Sequence, residues 1–227
     1  MKRVRMAVKS PSRRDLMRLY DRMYRHTGDL HWWPGETPIE IAVGAILTQN
    51  TAWKNVEKAI ARLKAARSLS VRALGKMTHA RLAKLIRSAG YFNVKALRLK
   101  NFIAHVEAHH GGSLEAMLGQ PAEALRAELL SINGIGPETA DSIVLYAAEK
   151  PIFVIDAYTK RILSRHGVLA MEKSYDEYQA LFSRGLAPDA PFYNQYHAMF
   201  VRIGNRYCRA TPRCDECPLN GWRGVPK

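Results

Sequence analysis

The stretch LLSINGIGPETADSIVLYAAEKPIFVIDAYTKRI runs from Leu129 to Ile162. Two helix-like segments within it are joined by Asn133, Gly134, Ile135 and Gly136. Glycine permits the positive φ of a tight turn and lets another backbone come close. Pro137 falls at the first helical position, where its missing N–H costs nothing. The N–H groups of the turn and of the first helical turn, through Thr139, have no acceptor inside the helix. An anion such as a phosphate is favoured there by the helix dipole, so Gly134, Gly136 and Thr139 are candidate phosphate-binding positions. Ile135 is the expected core anchor. An ordinary corner between two helices has the same pattern, and the motif gains weight only from its surroundings.

The same stretch ends in an apolar run, Ile152 to Ile155, that stops at Asp156 before helix resumes at AYTKRIL. An aspartate at such a junction is an N-cap, worth about 1 kcal/mol. A carboxylate held against apolar residues and returned toward a phosphate-binding turn also suits stabilising a sugar cation or steering an attacking water.

Apolar residues recur at three- and four-residue spacing along nearly the whole chain. Leu16, Leu19, Tyr20 and Met23 form one stripe; Ile39, Val43, Ile46 and Leu47 form a second; Val56, Ala59, Ile60 and Leu63 form a third. Gly90, Gly111 and Gly167 stand where helices should end. An all-α fold of many short helices follows, with no repeat of fixed period. The strand-like stretch PIFVI is too short to build a sheet.

The chain has 227 residues and 47% hydrophobic content, enough for a buried core. Thirty-five Lys and Arg against twenty Asp and Glu leave a formal charge of +15, a field that attracts polyanions. Lys2, Arg3, Arg5, Lys9, Arg13 and Arg14 crowd the first fifteen residues, reading as a solvated basic arm. No apolar run of about 18 residues and no secretory pattern occurs, so a cytoplasmic, nucleoid-associated monomer with double-stranded DNA as partner and no membrane contact is expected.

Asn133 to Asp156 resembles the helix-hairpin-helix and Gly/Pro-rich loop with its aspartate that mark the DNA glycosylase superfamily of endonuclease III type. GAILTQNT (Gly44–Thr51) is similar to that family's segment carrying a glutamine that enters the gap left by an extruded base, here Gln49. IRSAGYFNVKA (Ile86–Ala96) resembles its intercalating loop, with Tyr91 as the wedge. The resemblance implies two α-helical lobes with a DNA-binding cleft between them. One is a six-helix barrel lobe over residues 30–150 that contains the hairpin. The other is built from 1–29 and 151–227 and carries the Cys-rich loop.

In the bifunctional members a lysine two residues beyond the second glycine attacks the sugar and forms a Schiff base. Glu138 stands at that position, and a carboxylate forms no imine. The resemblance therefore implies a monofunctional base-excision repair enzyme that hydrolyses the N-glycosidic bond of damaged DNA bases, with water as nucleophile and Asp156 as main catalytic group. Glu138 itself reads as a first-turn acid complementing the helix dipole. No cofactor is needed for this chemistry.

LHWWPGETP (Leu30–Pro38) places Trp32, Trp33 and Pro34 ahead of the second helix, and Trp53 follows Gln49 closely. Burial is the ordinary fate of any one tryptophan. Flat π faces also sandwich a flipped base and favour a cationic one. The arrangement is similar to the branch that removes 3-methyladenine, where a Trp-Trp-Pro stretch and a later aromatic line the base pocket. An alkylated purine already carries positive charge and leaves readily.

YCRATPRCDECPLNGWRG (Tyr207–Gly224) holds Cys208, Cys214 and Cys217, a count and spacing that speak for a metal or cluster rather than disulfides. The resemblance implies a 4Fe-4S cluster. This chain has one residue fewer in the first gap and Arg223 where a fourth cysteine falls in the family. A three-thiolate cluster, a zinc completed by His or water, and no metal at all stay open. Two rivals to the alkylated-purine reading share its residues. One is a glycosylase for oxidised pyrimidine or mismatched thymine, with or without lyase activity; the other is a non-catalytic helix-hairpin-helix DNA binder.

Overall fold

A computed structural model describes residues 11–224; Lys2, Arg3, Arg5 and Lys9 of the basic arm lie outside the described residues. Among these residues the fold is all α-helical with no strand. The chain divides into two compact units, Met1–Trp32 with Ile152–Lys227, and Trp33–Pro151.

The continuous unit contains α2 (Pro38–Thr48), α3 (Trp53–Ala65), α4 (Val71–Lys76), α5 (His79–Leu85), α6 (Phe92–His110), α7 (Leu114–Leu118), α8 (Ala122–Ser131) and α9 (Pro137–Ser142). The discontinuous unit contains α1 (Arg13–Thr27), α10 (Ala157–Arg165), α11 (Tyr175–Gly185) and α12 (Ala190–Arg206).

Helix α2 is apolar nearly all round and accordingly buried from Ala42 to Leu47. Its start is set by Thr37, whose side chain accepts the Glu40 N–H, and by Pro38 in the first turn. Helices α3, α6 and α9 pack on it. Helix α6 is the longest of the unit; it also packs on α4, α5 and α7 and is closed by Gly111 in the left-handed conformation. After Ser142 the α9 backbone widens into a π-turn over Ile143–Ala147, all of it buried, where the sequence periodicity alone predicts unbroken helix.

In the discontinuous unit α12 packs on α10 and α1. Its core is aromatic: Phe153 stacks on Phe182 with centroids 3.7 Å apart, and Tyr196 stacks on Phe200 at 5.3 Å. The run PIFVI is extended without forming a strand, because helix α11 satisfies its backbone. Gln179 Nε2 donates to Phe153 O at 2.8 Å, and Ile155 N donates to Tyr175 Oη at 3.2 Å.

Candidate active site

The hairpin connects α8 to α9 in the continuous unit. Gly134 has φ +95°, and a Cβ added to it would lie 2.4 Å from Arg98 Cγ, so both its conformation and its space demand glycine. Gly136 differs from the sequence expectation. It is extended (φ −95°, ψ 177°) as the N-cap of α9, with nothing within 4 Å of an added Cβ, so neither fold nor backbone conformation requires a glycine there. Ile135 is buried, as its anchoring role requires. The arms are clamped by Arg126 Nε on α8, which donates to the fully buried Asp141 Oδ1 on α9 at 2.6 Å.

Helix α6 braces this hairpin through polar side chains that share one face. Asn101 Nδ2 donates to Asn133 O at 3.0 Å. Arg98 Nη1 donates to Gln49 Oε1, and Gln49 Nε2 donates in turn to Gly134 O at 3.2 Å and to Thr139 Oγ1 at 2.9 Å. Gln49 is thus latched onto the turn, and the buried Thr139 hydroxyl is occupied by Gln49. Glu138 is exposed in the first turn of α9.

Tyr91 is 73% exposed and holds φ +45°, a left-handed conformation that a bulky residue adopts only when its surroundings impose it. One such constraint is Lys95. Its side chain is buried, and Nζ donates to Ala89 O at 2.7 Å and to Leu47 O at 2.8 Å, pinning the turn before Tyr91 to the end of α2. Burial, with a smaller contribution from the Arg98 charge, pushes the Lys95 ammonium down to about 8.

Of the four residues that the sequence assigns to a base pocket, the structure brings Trp33 and Trp53 into contact. Their centroids lie 4.9 Å apart at 78°, both rings half-buried over Gly44. A third ring, Tyr146 from the π-turn, lies 4.8 Å from Trp33. Pro34 is exposed beside Trp33, and Trp32 belongs to the other unit.

Asp156, in the discontinuous unit, is the N-cap of α10: Oδ1 accepts the Thr159 N–H at 2.7 Å. It is 8% exposed, and its second oxygen lies 3.8 Å from His197 Nε2 on α12. Burial lowers the His197 pKa against the opposing pull of Asp156. One carboxylate oxygen therefore serves the helix, while the other faces an imidazole.

The three cysteines line one small pocket together with Arg165, His166 and Tyr207 among others. Arginines tie the loop down. Arg165 Nη1 donates to Cys208 Sγ at 3.3 Å and to Arg209 O at 2.6 Å, Arg161 Nε to Cys208 O at 2.5 Å, and Arg22 Nε to Pro218 O at 2.5 Å. Burial first, and then the neighbouring cysteines, push the Cys217 thiol up.

Arg98, Asn101, Lys95, Tyr146 and His197 are absent from the sequence reading. The three polar residues of α6 lie in a strongly basic helix where each passes for a solvated charge or amide, and only the spacing of Arg98 and Asn101 hints at a shared face.

Two helices joined by a glycine turn within an all-helical chain make this a helix-hairpin-helix protein. The chain belongs to the HhH-GPD superfamily of base excision DNA repair proteins, whose sequence profile matches residues 43–188. It is 45% identical over 205 residues to the Methanocaldococcus jannaschii protein named "Putative DNA repair glycosylase MJ1434", covering 90% of this chain and 93% of that one. Among solved structures, the H. pylori 3-methyladenine DNA glycosylase MagIII bound to 1,N6-ethenoadenine is 26% identical with a TM-score of 0.73, over 86% of this chain and 95% of that chain. A trapped endonuclease III–DNA covalent intermediate has a TM-score of 0.79 at 22% identity, over 92% and 94% of the two chains, and attests the fold.

Proposed function

We propose that the protein is a monofunctional DNA glycosylase that hydrolyses the N-glycosidic bond of alkylated purines, 3-methyladenine foremost. The observation that carries this reading is the ring cluster Trp33, Trp53 and Tyr146 over Gly44. Two half-buried indoles backed by the buried Tyr146 ring suit a cationic base, and a base that already carries positive charge needs little acid assistance to leave. The likeness to the H. pylori 3-methyladenine enzyme supports the same substrate class.

In this reading the backbone around Gly134, Gly136 and Thr139 holds a DNA phosphate, and the +15 net charge supplies the sequence-independent attraction. Tyr91 enters the base stack, and Gln49, released from its latch, fills the gap. Asp156 stabilises the sugar cation or steers water through the oxygen that does not cap α10. Glu138 provides no amine, so hydrolysis without a Schiff base follows. Residues 30–150 act as the barrel lobe, and the remainder as the second.

The Cys208, Cys214 and Cys217 side chains suit a 4Fe-4S cluster better than a single zinc. Around zinc, thiolates crowd to about 3.8 Å of one another, whereas among the described residues these thiols do not gather within 4.8 Å with a third ligand. The Arg165 guanidinium donates to Cys208 Sγ and holds that side chain in place. When bound, such a cluster serves structure, holding the loop that carries Arg209 and Arg213 for phosphate contact.

The test is to incubate the purified protein with alkylated genomic DNA and identify the free bases. Release of 3-methyladenine supports the proposal. Release of oxidised pyrimidine or thymine from matching substrates instead, or a covalent adduct trapped by borohydride, favours the endonuclease III-like alternative. Salt-sensitive binding with no base released would leave a DNA binder only.

A further inference from the structure

At the C-terminal end of α6, His105 and His110 converge on Glu128 of α8. His105 Nε2 lies 2.7 Å and His110 Nε2 2.6 Å from the same oxygen, Glu128 Oε1, and the three ligand atoms all lie within 4.8 Å of one another. Gln120 Nε2 donates to the other carboxylate oxygen and fixes its orientation, as outer-sphere partners of metal-binding carboxylates do. The His109 ring lies 4.2 Å from that of His105, a further imidazole at the rim. The three side chains are 16–19% exposed, so solvent and ions have access.

We propose that His105, His110 and Glu128 form a binding site for a divalent transition-metal ion, zinc above all, which clamps α8 to α6. Two imidazoles and one carboxylate are a ligand set that zinc takes, with water completing the tetrahedron. Ligands on such an ion stand about 3.4 Å apart, so the carboxylate backs off from each imidazole by about 0.7 Å when the ion enters, a small side-chain rotation. The metal takes the Nε2 lone pairs; each neutral ring then carries its proton on Nδ1, and an imidazolium gives one proton to solvent. Helix α8 is the first arm of the hairpin, so the ion would stiffen the hairpin whose turn Asn101, earlier on α6, holds at Asn133 O. The site does not depend on which base the enzyme removes.

Chelator-treated full-length protein is titrated with Zn²⁺ by calorimetry and thermal melting, and with Co²⁺ by visible absorption. The double variant His105→Gln/His110→Gln is the control, because glutamine keeps an N–H donor for Glu128 but is a poor metal ligand. Expected are zinc binding with a raised Tm in the wild type, at least tenfold weaker binding at that site in the variant, and cobalt d–d bands without thiolate charge transfer in the wild-type-minus-variant difference. If that double variant fails to fold, the single variant His110→Gln, which keeps His105 on Glu128, serves the same difference measurement. Equal zinc uptake and Tm gain in both proteins, cobalt bands wholly of thiolate origin, or no binding would overturn the proposal.

Discussion

Gln49 Nε2 donates to Thr139 Oγ1 at 2.9 Å, joining the end of α2 to the first turn of α9 across 90 residues of sequence. The glutamine is held at the hairpin before any DNA arrives. Thr139→Val should cost roughly 0.5–1.5 kcal/mol, the net worth of one part-buried hydrogen bond, and Gln49→Ala more, because it also strips the bonds to Gly134 O and from Arg98. In a double-mutant cycle by urea denaturation the two losses should fall short of additive, by about 0.5 kcal/mol or more. Strict additivity would show the contact to be idle.

The two hairpin glycines should behave differently. Gly134→Ala forces a Cβ into a φ of +95° and against Arg98, and a loss of roughly 1–3 kcal/mol is expected. Gly136→Ala meets nothing within 4 Å and should leave stability within about 0.5 kcal/mol of wild type. If the backbone at Gly136 approaches phosphate, that variant should nonetheless bind duplex DNA more weakly. Thermal melts and fluorescence-polarisation titrations at fixed salt check both halves.

Lys95 links stability to alkaline pH. Its ammonium is lowered from the ordinary 10.5 to about 8, so between those values the unfolded chain holds more protons than the folded one and stability rises with pH. The cost of burying the charge is complete below about 8 and relieved by about 10.5. Lys95→Met abolishes this dependence and orphans the carbonyls of Leu47 and Ala89, for a loss of roughly 1–3 kcal/mol near neutral pH. Denaturant melts of both proteins from pH 7 to 10.5 should show the wild type gaining on the variant as pH rises; parallel curves would refute the linkage.

Much of this fold is legible in the sequence because its helices are amphipathic and carry their own stop and start signals: Gly90, Gly111, Gly167 and Asp156 each mark a boundary that the structure keeps. The short helix α7 escapes, since five residues carry too little periodicity to register. Tyr146 escapes for another reason: it reaches Trp33 through a π-turn, and a reading built on 3.6 residues per turn does not anticipate the wider winding. The run before Asp156 looks like a strand because apolarity cannot reveal that Gln179 and Tyr175, about twenty residues on, supply its hydrogen bonds. Lys95 is hardest of all, because a lone lysine in a basic chain predicts solvent, and only the converging carbonyls make burial favourable.

In the proposed function Asp156, besides capping α10, drives base release. Asparagine caps a helix nearly as well as aspartate, so Asp156→Asn should fold and bind DNA close to normally, whereas Asp156→Ala should lose about 1 kcal/mol of stability as well. The direct measurement is single-turnover release of 3-methyladenine from a defined duplex by wild type and Asp156→Asn. A rate lower by roughly two to four orders of magnitude, with DNA affinity retained, is expected for a positioned carboxylate. An undiminished rate would remove Asp156 from the chemistry and leave it a helix cap.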